Sequence, residues 1–232
     1  SGPRQPLSRE RVVCTALALV DAEGLEALSM RRLGAALGMA TMAVYYYLPN
    51  KAALLDAVVE AVMAEIDLGV DDPSRPAEER LVRAAKAYGE VLIRHSNTLP
   101  LMMVRGPVTP AGLAPVELMV AILRSGGLSL ENAMAGMHML AAAVRGYAAI
   151  MAREMAEPEQ RDVEGLVVLT SPEEFPNLSE AAAQPEQDLQ AQFEFGLRAI
   201  AAGLLRAGRR QHSGGADAVS AGDVGESATD LS

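Results

Sequence analysis

Apolar residues recur at helical spacing along almost the whole chain, with Ala, Leu, Met, Glu and Arg between them, while β-branched runs are short and strict alternation is rare. The pattern predicts an all-α fold. Ser8 stands where an N-cap belongs, and Val13, Leu17 and Val20 share one face of a first helix over 8–22 that Gly24 stops. A second helix over 29–38 buries Leu33 and Leu37, four residues apart. Thr41 is expected to cap a short third helix over 42–48, with Val44 and Leu48 facing inward, Thr41, Tyr45 and Tyr46 left free, and Pro49 as its terminator. Asn50 caps a fourth helix whose Leu54, Leu55, Val58, Val59 and Val62 form a continuous stripe, running to about residue 68.

Residues 69–76, with Asp, Ser and two prolines, read as the boundary between a small N-terminal unit and a larger body. Helices are predicted over 77–95, 109–125, 129–156 and 186–207, with a shorter irregular piece at 100–107. The acidic, proline-containing stretch 157–185 reads as a long loop with at most one short helix. Residues 208–232 are Gly, Ser, Ala and Asp with almost no large apolar side chain, and are expected to be disordered.

Composition adds bounds. Half of the 232 residues are hydrophobic and 22% are charged, which is a globular balance. Nothing resembles a signal peptide, and the longest apolar stretch, 133–152, is broken by His138 and Arg145, so a soluble, cytoplasmic protein without a membrane span is expected. A lone cysteine, Cys14, permits no internal disulfide and reads as a small buried apolar residue on a helix. The net charge of −10 argues against nucleic-acid binding only as an average. Residues 1–51 hold six basic side chains against four acidic ones, a net of +2, which leaves −12 on the other 181 residues. A mildly basic head on an acidic body fits a protein that touches DNA at one end only, although ordinary surface variation gives the same asymmetry.

Residues 29–48 have the layout of a helix-turn-helix: two short helices around Gly38-Met39-Ala40, the second with a compact, polar start. Any two packed short helices can look like this. The tyrosines discriminate, because three of only eight aromatic residues, Tyr45, Tyr46 and Tyr47, are adjacent on one short helix. Successive helical positions point about 100° apart, so the core cannot take all three rings. An exposed phenol suits a DNA backbone, donating to phosphate while its ring packs on sugar or a thymine methyl.

The run Ser29-Met30-Arg31-Arg32-Leu33-Gly34, then Gly38-Met39-Ala40, then Ala43-Val44-Tyr45-Tyr46-Tyr47-Leu48-Pro49-Asn50-Lys51-Ala52-Ala53-Leu54-Leu55-Asp56 closely resembles the DNA-binding domain of TetR-family regulators. The resemblance implies that the helix beginning near Thr41 enters the major groove and that Lys51 holds a phosphate. By matching position, Arg31, Thr41, Met42, Ala43, Tyr45, Tyr46, Tyr47 and Lys51 are the candidate DNA contacts. Tyr45, Tyr47 and Lys51 are then expected to anchor the backbone, and Arg31, Thr41, Met42 and Ala43 to approach base edges. Arg4, Arg9 and Arg11 either add contacts from an N-terminal arm or form a solvated cluster.

Gly127-Leu128-Ser129-Leu130-Glu131-Asn132-Ala133, Phe175-Pro176 and Phe193-Glu194-Phe195-Gly196-Leu197 extend the resemblance, over roughly 8–207, to the tetracycline-repressor subclass. It implies a C-terminal helical domain that encloses an effector and pairs its last two long helices with those of a second copy. The domain reading is therefore 1–51 for the three-helix helix-turn-helix domain, 52–68 for a connecting helix, 69–207 for effector binding and dimerisation, and 208–232 for the tail. Apolar stripes on Met134, Met137, Ala141, Val144 and Ala148 and on Leu189, Phe193, Leu197, Ile200 and Leu204 are extensive enough for a homodimer, unless the monomer core absorbs both.

Tetracycline repressors hold a drug–magnesium chelate with a histidine, a threonine and a glutamate, where this chain has Met102, Arg105 and Ile150. None of these is a hard oxygen or imidazole ligand, so no metal and no cofactor are expected, and magnesium-tetracycline is rejected as effector. Tyr88 and Met119 stand where the family has a ring and a glutamine around the drug. Together with Met102, Met134 and Met137 they suggest a thioether-lined pocket for a bulky hydrophobic molecule, with Tyr88, Asn97, Arg105 or His138 as polar anchors. Methionines at helical spacing also serve as plain core. An enzyme is disfavoured: His95, His138 and His212 are isolated, and no catalytic triad, phosphate loop or metal spacing is present. A helical ligand-binding or adaptor protein that has lost DNA binding is the remaining rival.

Overall fold

The computed structural model describes residues 8–156, 172–184 and 188–220. Ten α-helices and three 3-10 turns form the fold among these residues, with no strand. The head consists of α1 (Arg9–Glu23), α2 (Met30–Leu37), α3 (Thr41–Tyr47) and the start of α4 (Lys51–Ala64). Ser8 accepts from the Arg11 amide and Ser29 from the Arg32 amide, so each hydroxyl satisfies a donor that the first helical turn leaves unpaired. Gly38 ends α2 in the left-handed conformation, at φ +68°. Leu17, Val20, Leu28, Leu33, Val44, Leu48, Leu54 and Val58 are all buried, and they hold α1 against α4 and α2 against α3.

Cys14, expected to be buried on α1, is exposed, and two boundaries around α3 and α4 differ from the sequence pattern. Thr41 lies inside α3 instead of capping it; Ala40 is the N-cap and uses no side chain, its carbonyl accepting from the Ala43 amide at 2.9 Å. The fourth helix ends at Ala64, short of residue 68, although its apolar stripe continues to buried Ile66. Beyond it the Asp67 carboxylate accepts from the Gly69 amide at 2.8 Å and opens a 3-10 turn, Leu68–Val70, a local bond that competes with helix continuation.

The body follows as α5 (Ala77–Arg94), α6 (Leu99–Val104), α7 (Pro110–Ser125), α8 (Leu130–Ala156), α9 (Pro176–Ala182) and α10 (Leu189–Ser220). The irregular piece at 100–107 is thus partly helical, as α6. Helix α5 is central, packing on α7, α8 and α10, and α4 packs on α7. One hydrophobic cluster runs without a break from Val12 in the head to Leu205 in the body. The segment between them is pinned by Arg80, whose half-buried guanidinium meets Asp71 at 2.7 and 2.9 Å.

Helix α10 passes Gly208 and reaches Ser220, where disorder is expected from the sequence; residues 221–232 lie outside the described residues. Gly208 is buried, and a Cβ there would lie 2.7 Å from Leu128 Cδ1 and 3.0 Å from the Gly127 carbonyl carbon. The glycine therefore permits a close approach and does not end the helix, whose continuation needs no new nucleation. Most of the loop expected at 157–185 lies outside the described residues; α9 is its short helix. Among the described residues no helix is long and apolar enough to cross a membrane.

Candidate DNA-reading surface and ligand cavity

Helix α3 can offer a reading surface because its inward positions, Val44 and Leu48, are fully spent on the head core. Tyr46 is 86% exposed, Met42 76% and Tyr45 40%. Thr41 and Ala43 are half-buried beside them, and Tyr47 is half-buried with its ring edge-on to Tyr46, centroids 5.1 Å apart. Lys51 is exposed at the first position of α4, where Asn50 has taken only the Ala53 amide, leaving a positive helix end. The two arginines of α2 have different fates. Arg32 is held by Glu23, its Nε donating at 3.0 Å, whereas Arg31 is exposed and has no ion-pair partner among the described residues. Arg9 and Arg11 are exposed at the start of α1, and Arg4 lies outside the described residues.

In the body, a cavity with about 550 Å³ of atom-free space, part of it open to solvent, lies between the end of α4 and helices α5, α7 and α8. Met63, Ile66 and Leu68 close one side, Ala84 and Tyr88 come from α5, and Pro107, Pro115, Val116, Leu118 and Met119 form the opposite wall. Met137, Ala141 and Arg145, spaced four residues apart on one face of α8, complete it. Arg145 Nε donates to the Tyr88 hydroxyl at 2.9 Å, with the guanidinium carbon 6.0 Å from the tyrosine ring centre. Burial pushes the Tyr88 phenol above its ordinary pKa, against the pull of Arg145, so the ring stays neutral.

Of the effector-binding candidates from the sequence, Tyr88, Met119 and Met137 come together here. The other five lie elsewhere. Asn97 is exposed and donates to the Asp21 carbonyl at 2.9 Å, holding the body to the end of α1. Met102 is core, 1% exposed. Arg105 pairs with Asp56 on α4, and Met134 and His138 sit on an exposed face of α8. Arg145 is the residue that sequence reasoning missed. The signal was its break in the apolar run at i+8 from Met137, which puts it on the cavity face and His138 off it.

The cavity and the head share α4. Asp56 takes Arg105, and Glu60 takes the Val108 and Thr109 amides, the latter at 2.9 Å, together with the Thr109 hydroxyl. The segment 105–109 is thus clamped to α4 while its Pro107 lines the cavity.

Two family descriptions match the chain: "Bacterial regulatory proteins, tetR family" over residues 13–58 and "Tetracyclin repressor-like, C-terminal domain" over residues 72–207. The HTH-type transcriptional repressor DrrR1 of Streptomyces coeruleorubidus is 32% identical, covering 91% of this chain and 83% of its own length. The class C tetracycline repressor of Escherichia coli is 47% identical over 57 residues, a quarter of this chain. Apo ActR from Streptomyces coelicolor superimposes with a TM-score of 0.75 at 32% identity, covering 88% of this chain and 99% of its own, and ActR structures with actinorhodin and with (S)-DNPA match equally well. With both halves matched, over more than half of its length, the chain belongs to the TetR family of transcriptional regulators, and is a regulator, not an enzyme.

Proposed function

We propose that the protein is a homodimeric repressor that binds a palindromic operator in the cytoplasm and leaves it when a hydrophobic small molecule other than magnesium-tetracycline fills the cavity. The observation that carries this reading is that a single helix serves both ends: α4 opens with Lys51 beside the reading surface and its end, Met63 with the following Ile66, walls the cavity. Fourteen helical residues span about 21 Å, so a tilt at one end is delivered to the other.

In this reading Arg31, Thr41, Met42 and Ala43 approach base edges, and Lys51 and the tyrosines hold phosphates. The exposures favour Tyr46 and Tyr45 as the outermost clamps, with Tyr47 bracing Tyr46 from behind. The body supports pairing through exposed Met139, Ile150 and Phe195 on α8 and α10, flanked by small residues that allow helices to approach closely. The stripes expected from the sequence are largely absorbed by the protomer, since Met137, Ala141, Val144, Ala148 and Leu197 are buried within it. Two heads in successive major grooves must stand about 34–36 Å apart. An occupant pressing on Pro107 shifts segment 105–109, which pulls α4 through Asp56 and Glu60 and changes that spacing. ActR, crystallised with two different small molecules, supports an effector in a body of this shape.

The test is a gel shift with DNA flanking the protein's own gene, followed by a thermal-shift screen of hydrophobic compounds and a release assay on each hit. Specific, salt-sensitive retardation reversed by a cavity-binding compound is expected; no specific retardation would sink the repressor reading and leave a ligand-binding adaptor.

A further inference from the structure

Three arginines are half-buried among the described residues, and two of them, Arg80 and Arg105, meet carboxylates. The third, Arg145, has no carboxylate within 4.0 Å among those residues, in a protein with 30 acidic side chains against 20 basic ones. Its Nε is occupied by the Tyr88 hydroxyl, and its two terminal nitrogens make no hydrogen bond among the described residues. Tyr88 is neutral, so it cannot act as counter-ion, and it keeps its own O–H to donate. Among the described residues Asp67 is the only carboxylate in the lining; it is exposed, is engaged on the Gly69 amide, and makes no ion pair with Arg145. An otherwise apolar wall thus presents a fork of N–H donors and one phenolic donor, with a half-buried positive charge that no carboxylate among the described residues neutralises.

We infer that the cavity takes an apolar molecule bearing a carboxylate, which docks on the terminal nitrogens of Arg145 with the Tyr88 hydroxyl as a further donor. This rests on the cavity being the effector site, as proposed above, and it names the class of effector. Guanidinium and carboxylate match as two parallel hydrogen bonds, a geometry that an amide of the same shape cannot reproduce. The remainder of the molecule lies against Met63, Met119 and Met137, whose thioethers accept varied apolar shapes.

The test uses the full-length chain and two fluorescent probes of equal shape, anthracene-2-carboxylate and anthracene-2-carboxamide, titrated at about 150 mM salt. Hydrogen bonds to charged groups set the expected preference for the carboxylate at about ten- to a hundredfold. In Arg145→Gln the ratio of the two affinities falls toward one, and in Arg145→Lys, which keeps the charge but not the fork, an intermediate ratio remains. Ala141→Trp fills the cavity and removes both probes. Equal affinities in the unmodified protein, or a preference that survives Arg145→Gln, overturn the carboxylate inference while leaving the cavity in place as an effector site. Undiminished binding of both probes by Ala141→Trp instead overturns the cavity reading itself.

Discussion

His95, just past the end of α5, reaches back to Asp21 on α1, its Nδ1 2.9 Å from Asp21 Oδ2. Its other ring nitrogen lies 3.0 Å from a Glu65 carboxylate oxygen at the end of α4, and the side chain is 8% exposed. The ring therefore meets a carboxylate at each nitrogen. One ring thus joins the head, the connecting helix and the body. Replacing Asp21 by Asn and His95 by Gln, singly and together, is expected to give a double-mutant cycle that is non-additive by about 1 kcal/mol, read from urea unfolding. Additive effects would mean that the geometry carries no energetic tie.

Two caps were legible in the sequence because a cap is a local bond: Ser8 and Asn50 each satisfy an amide three residues on. The end of α4 was not, because the apolar stripe and the Asp67–Gly69 bond point to different answers and only the folded packing decides between them. Asn97 and Arg105 look like pocket anchors in sequence, being polar groups amid an apolar stretch. Their partners, the Asp21 carbonyl and Asp56, lie 76 and 49 residues away, beyond the reach of any periodicity. Residues related by one helix face behaved differently: Met137, Ala141 and Arg145 share the cavity side of α8 and could be read together.

Lys51 tests the reading surface. It is exposed, and a phosphate contact carries no sequence information, so Lys51→Gln is expected to weaken operator and non-operator DNA alike. The slope of log affinity against log salt should flatten by about 1 per protomer. An effect confined to the operator would assign Lys51 to base readout instead.

Gly38 tests how the turn aims α3. At φ +68° and ψ +35° it is in the left-handed region, and nothing lies within 4 Å of where a Cβ would stand, so a substitution meets backbone strain and no clash. Gly38→Ala is expected to cost about 1 kcal/mol of stability and Gly38→Asn less, because asparagine tolerates this conformation. Thermal unfolding measures both. Equal losses would show that side-chain volume, not φ, is the limiting factor.

Glu60 tests the route from cavity to head. Gly112 sits against its carboxylate, and a Cβ there would lie 2.2 Å from Glu60 Oε2. Gly112→Ala therefore displaces the carboxylate and Glu60→Ala deletes it; both release segment 105–109 from α4. For any compound that frees DNA from the unmodified protein, coupling between the two sites is expected to be about 5- to 150-fold and to shrink toward one in both variants. Reciprocity makes a second measurement possible, since DNA must change the compound's affinity by the same factor. Full coupling in both variants would exclude the clamp as the route.

Glu194 on α10 lies between Lys86 of α5, at 2.9 Å, and Arg198, at 2.5 Å, and these two cations hold its carboxyl down at about 2. A carboxylate whose folded-state pKa is depressed adds stability that is complete above its ordinary value near 4.5 and is lost as pH falls toward 2. Glu194→Gln should therefore be less stable than the unmodified chain at pH 7, with the difference narrowing below pH 4.5 and vanishing near pH 2. Denaturant midpoints for both proteins across that range supply the comparison. The contacts are solvent-accessible, so raising salt at pH 7 must shrink the same difference. A gap that is independent of both pH and salt would assign the loss to helix packing between α5 and α10, not to charge.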